Sequence, residues 1–132
     1  MTSTADSLVN EARKTVPATM PIDARADADA GYAIILDVRE AAELSSVGTP
    51  VGSIHVPRGL LEFKADPETD TAEEALTIAK AQGLKVHVLC ASGGRAVLAA
   101  QTLNTMGYDA TVVEGGMKGW KEAGLQVANS QH

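Results

Sequence analysis

The chain holds one cysteine, Cys90, and it stands where an apolar run gives way to a small turn: Val86 to Leu103 reads VHVLCASGGRAVLAAQTL. A packed thiol behaves as a small hydrophobe and asks nothing particular of its neighbours. The residues that follow, Ala91, Ser92, Gly93, Gly94 and Arg95, suggest another use. A cysteine attacks as its thiolate, a form favoured beside a cation or a helix N-terminus. Arg95 offers the cation, and the helical pattern after it offers unpaired N–H groups. Gly93 and Gly94 carry no Cβ, so the backbone there can curl into an anion nest, and Ser92 adds a hydroxyl. The chemistry such a cradle serves is nucleophilic, with an anion held beside the sulfur. The plainer alternative is a buried strand-end cysteine next to a tight turn.

Other polar residues sit at comparable places. Asp37, Arg39 and Glu40 end the apolar run in LDVRE, where a structural salt bridge is the simpler reading. Arg58, in HVPRG, either points toward an anion in the pocket or lies in solvent, with Asp37 or Glu62 as its partner. His55, His87 and His132 show no metal-site spacing, and His87 alternates with Val86 and Val88, so it faces away from them. Neither a metal nor a cofactor is expected.

The elements that must position these residues alternate. ADSLVNEARKTV has helical spacing, and TMPIDARADADA reads as a second helix ending near Gly31. YAIILDV and KVHVLC are nearly continuous apolar runs, the pattern of strands buried on both faces of a parallel sheet. Between them, GTPVGSIHVP has a short apolar core at Ile54 and Val56, and TAEEALTIAKAQG is helical. RAVLAAQTLNTMG makes the helix after the thiol, and ATVVEGG the last strand. The fold class is therefore α/β, a central parallel sheet with helices on both faces. Ligands of such sheets bind beyond the strands' carboxyl ends, where Cys90 falls.

At 132 residues and 45% hydrophobic composition the chain suits one domain with tails. A net charge of −6 argues against a nucleic-acid partner, and no apolar run is long enough to cross a bilayer. The start lacks a signal-peptide pattern and one cysteine cannot form an intrachain disulfide, so a cytoplasmic setting is expected.

Four stretches, in order, resemble the single-domain rhodaneses, a sulfurtransferase family: IILDVREAAEL, GTPVGSIHVPRG, VLCASGGRA and the closing GGMKGWKEAGLQV. The resemblance implies a rhodanese-like domain over residues 19–127, a helical extension over 1–18 and a flexible tail over 128–132. Gly115, Gly116 and Trp120 would be structural, the glycines permitting a close turn into the last helix. It implies that Cys90 takes sulfur from thiosulfate or a persulfide donor as a persulfide, then passes it to cyanide, a thiol or a protein acceptor. The N–H groups of Ala91, Ser92, Gly93, Gly94 and Arg95 would bind the outer sulfur, Arg58 would attract an anionic donor, and Asp37 with Arg39 would organise the site. Four residues separate Cys90 from Arg95, as in the sulfur-handling members; the related phosphatases and arsenate reductases have a longer loop. The chain departs from the pattern at SSVGTPVG and at Ala91, where many thiosulfate-using relatives carry a large polar residue. A sulfur carrier or redox sensor without turnover is the alternative that the same cradle allows, and a phosphatase or arsenate reductase the more distant one.

Overall fold

The computed structural model describes residues 2–91 and 93–128, with residues 45–47 followed along the backbone alone. Along the chain lie α1 (Ala5–Thr15), β1 (Ala18–Thr19), α2 (Pro21–Asp29), β2 (Ala33–Asp37), α3 (Ala41–Val47), β3 (Thr49–Pro50) and β4 (Ile54–His55). A 3-10 turn (Arg58–Leu60) leads into α4 (Leu61–Ala65), then α5 (Glu74–Ala81), β5 (Lys85–Leu89), α6 (Gly94–Thr105), β6 (Asp109–Val113), α7 (Gly116–Glu122) and β7 (Val127–Ala128). Five strands form one parallel sheet in the order β1-β6-β5-β2-β4, while β3 and β7 pair antiparallel beside it.

β2 and β5 read as nearly continuous apolar runs because both faces of the sheet are covered. Successive side chains take opposite sides. Leu36, Val86, Val88 and Val112 face one core, shared with α1, α4, α5 and α6; Ile35, Leu89 and Val113 face another, closed by Ala24 of α2 and Met117 and Trp120 of α7. Each fully buried Leu or Val stabilises the fold by roughly 1.5–3 kcal/mol relative to exposure, so these paired faces supply most of the driving force. His87 takes the α2 side, where Nε2 lies 2.9 Å from Asp27 Oδ2 and Nδ1 2.7 Å from Thr111 Oγ1. Thr19 Oγ1 in turn donates to Thr111 at 2.8 Å, tying β1 to β6 by their side chains.

The first helix is built as its sequence suggests. Thr4 caps it in a box with Ser7, Asp6 lies in its first turn and Arg13 and Lys14 in its last, all favourable to the helix dipole. It packs on α6, with Ala12 and Val16 buried in the larger core.

Several elements lie outside the sequence-based expectation. Ala128, expected in a flexible tail, joins Val127 in β7 against Thr49 and Pro50. Gly48 permits that pairing: it has φ +77°, and a Cβ there would stand 2.6 Å from the Ala128 carbonyl oxygen. The rest of the expected tail, residues 129–132 with His132, lies outside the described residues. Helices α3 and α4 and strand β1 are likewise unannounced by periodicity, being short.

Candidate active site

Cys90 follows the last residue of β5, and α6 begins at Gly94, so residues 90–93 are the whole connection. The Cys90 side chain is 1% exposed, and its Sγ accepts the N–H of Gly93 at 3.1 Å and of Ala96 at 3.3 Å. Gly93 reaches this geometry at φ 117°, a left-handed value that a side chain would resist. The N–H groups of Gly94 and Arg95, first in the helix, find no acceptor among the described residues. Two donors therefore hold the sulfur and two more stand unused beside it.

The loop's carbonyls are drawn off to the other side. Met117 N donates to the Cys90 carbonyl at 2.7 Å and Lys118 N to that of Ala91 at 3.4 Å. A Cβ on Gly116, at φ +58°, would lie 2.7 Å from the Ala91 carbonyl oxygen and collide with that of Cys90. The start of α7 thus takes up the acceptors, which leaves N–H groups toward the sulfur. This is the arrangement a negative sulfur needs.

Arg95 does not hang free beside the thiol. Its two terminal nitrogens grip Glu43 of α3 at 2.7 and 2.8 Å. That guanidinium, hydrogen-bonded to both oxygens, holds the Glu43 carboxyl down at about 2 although burial opposes it. The pKa of Arg95 is pushed further up in return, chiefly by Glu43 and to a smaller extent by the charge of Cys90. Glu43 Oε1 also accepts the N–H of Glu40, closing a capping box at the start of α3. Glu43 is the site residue that the sequence reading did not single out. Its only local signal is the Glu40-x-x-Glu43 spacing, which marks a cap but not a partner 52 positions away.

The remaining site candidates fall in two places. Asp37 and Arg39 form a buried ion pair, Arg39 Nη2 to Asp37 Oδ2 at 2.8 Å, and Arg39 also donates to the Gly48 carbonyl at 2.6 Å. His55 Nε2 donates to the Arg39 carbonyl at 2.7 Å, so this cluster fastens the segment from α3 to β4. Arg58 lies apart from the thiol loop, its guanidinium on Glu62 at 3.0 Å and Thr102 at 3.3 Å. Ala91 is exposed and Gly93 buried, while Ser92 lies outside the described residues.

Comparison with known proteins gives this geometry a lineage. Residues 20–123 match the model of the rhodanese-like domain. Over 87 residues, 65% of this chain and 40% of the other, the sequence is 31% identical to the "Putative sulfur carrier protein YrkF" of Bacillus subtilis (strain 168), so it spans less than half of that relative. Among solved structures, RPA3614 of Rhodopseudomonas palustris CGA009, titled a protein of unknown function and "possible tyrosine phosphatase", superposes with a TM-score of 0.86 at 30% identity over 97% of this chain and 96% of its own. A thiosulfate sulfurtransferase from Pseudomonas aeruginosa aligns with a TM-score of 0.75 at 26% identity, over 96% of this chain and 23% of that one. With most of its length inside the matched domain and its one cysteine in the strand-to-helix cradle, the chain belongs to the rhodanese-like domain family.

Proposed function

We propose that the protein is a sulfurtransferase that carries sulfane sulfur as a persulfide on Cys90. The observation that carries this reading is the pair of N–H bonds from Gly93 and Ala96 to Sγ, with the N–H groups of Gly94 and Arg95 unused nearby. The Cys90 thiolate attacks the outer sulfur of thiosulfate. A new S–S bond forms to Cys90, the donor's own S–S bond breaks, and sulfite leaves with that bond's electron pair. The persulfide bears its charge on the outer sulfur, where the loop's spare N–H groups stabilise it as an oxyanion hole stabilises oxygen. Cyanide or a thiolate then attacks the outer sulfur and leaves as thiocyanate or a new persulfide, returning the Cys90 thiolate. In this reading Ala91 to Arg95 form the binding loop, and Asp37 and Arg39 keep the neighbouring segment in place. Arg58 attracts an anionic donor only after leaving Glu62.

Intact-protein mass after incubation with thiosulfate tests the proposal. The wild type gains the mass of one sulfur atom, cyanide removes it, and Cys90→Ser gains none. A folded wild type with a free thiol that takes no sulfur from thiosulfate or from an organic persulfide overturns it. A second reading, a carrier that loads but does not turn over, draws on the name of the B. subtilis relative. It would show stable loading with negligible release to cyanide and transfer to one protein acceptor. Cys90-dependent hydrolysis of an aryl phosphate would instead favour a phosphatase, the activity suggested for the R. palustris protein, against which the four-residue Cys90-to-Arg95 spacing argues.

A further inference from the structure

The three arginines singled out as site candidates are all paired. Arg95 is held by Glu43, Arg39 by Asp37 and Arg58 by Glu62, each a pair of nearly zero net charge. Ala91 offers the site no charge. A donor whose leaving group departs as an anion would then meet no unpaired positive charge from these residues, in a chain whose net charge is −6. Helix α1 supplies one. Val9 and Arg13, one turn apart on its face, reach the start of α6: a Cβ on Gly94 would touch Val9 Cγ2 at 4.0 Å, and one on Gly93 would lie 3.4 Å from Arg13 Nη2. Gly93 N is itself bonded to Cys90 Sγ, so standard backbone dimensions put the guanidinium within roughly 9 Å of the sulfur. Arg13 is exposed and has no carboxylate partner among the described residues, whereas the adjacent Lys14 pairs with Glu11 at 2.9 Å.

We infer that Arg13, from the helix ahead of the matched domain, is a specificity-determining residue that favours multiply charged anionic sulfur donors at the Cys90 loop. The inference rests on the sulfurtransferase reading above. Its physical content is a Coulomb attraction across less than about one Debye length, strongest for the transition state in which sulfite charge develops at the mouth. Such an attraction scales with the donor's charge. Two donors with the same sulfane sulfur separate it from a packing effect: thiosulfate, a dianion that releases sulfite, and methanethiosulfonate, a monoanion that releases methanesulfinate by the same S–S cleavage.

The experiment is kcat/KM for both donors, with cyanide as acceptor, in full-length wild type, Arg13→Gln, Arg13→Lys and Lys14→Gln, each checked for an unchanged thermal midpoint. Arg13→Gln lowers the thiosulfate value about three- to tenfold and the methanethiosulfonate value by about the square root of that factor. Arg13→Lys restores most of the loss, and Lys14→Gln, the same change in charge on another face, leaves both values alone. Equal losses for the two donors, or none, overturn the inference while the sulfurtransferase reading stands. A wild type that takes sulfur from neither donor overturns the inference, and one that also takes none from an organic persulfide overturns the sulfurtransferase reading with it.

Discussion

At the scale of single residues, the division of labour around Cys90 is between groups that touch the sulfur and groups that aim them. Glu43 belongs to the second kind. Its carboxyl sits at about 2 instead of the usual 4.5 because Arg95 binds it, so its ionised form stabilises the fold above about pH 4.5 and that contribution fades as pH falls toward 2. Thermal unfolding from pH 6 to pH 3 should show a steeper decline in the wild type than in Glu43→Gln, which has no such proton to take up; parallel curves would refute the assignment. Gly116→Ala should abolish sulfur loading and cost about 3 kcal/mol or more, because both a positive φ and the loop carbonyls oppose a Cβ there. Chemical denaturation together with the mass assay checks it. The thiol and its turn are legible in the sequence because they are contiguous, Cys90 to Arg95. Glu43 is not, because its meaning depends on a partner brought close only by the fold.

Elements follow the same rule at a larger size. β2, β5 and β6 announce themselves by apolar runs, and α5 and α6 by spacing and a closing glycine, since those signals lie within one segment. β1, β3 and β7, two residues each, are too short to have a period, and α3 rests on its Glu40–Glu43 cap rather than on a long apolar stripe. Where elements meet, polar side chains fix the register. The chain Thr19–Thr111–His87–Asp27 satisfies every donor in turn if neutral His87 carries its proton on Nε2, facing Asp27, and accepts from Thr111 at Nδ1. Thr111→Val leaves that buried nitrogen without a donor and should cost about 1–3 kcal/mol, while Thr111→Ser keeps the bond and most of the stability. Equal urea midpoints for the two variants would show that the hydroxyl does nothing.

For the whole molecule, the notable fact is that α1 is not an appendage in packing terms. Ala12 and Val16 lie in the same core as Val97 and Ala100 of α6, at 6% exposure or less. Removing residues 2–16 should lower stability by about 3 kcal/mol, from the apolar area uncovered on both sides, and a thermal midpoint equal to that of the full chain would contradict this. The sequence marks α1 as a helix by the spacing of its apolar residues, but not where it docks, because that depends on a face of α6 brought close only by the fold.

The parallel sheet has a further consequence. Its outermost strands, β1 and β4, are two residues long, against five for each strand between them. A foreign strand approaching either border finds a ladder that ends almost as soon as it begins, so the sheet offers little template for growth from molecule to molecule. The long, apolar, β-branched segments that make the fold legible are the ones most able to seed fibrils, and they are enclosed between their own shortest neighbours.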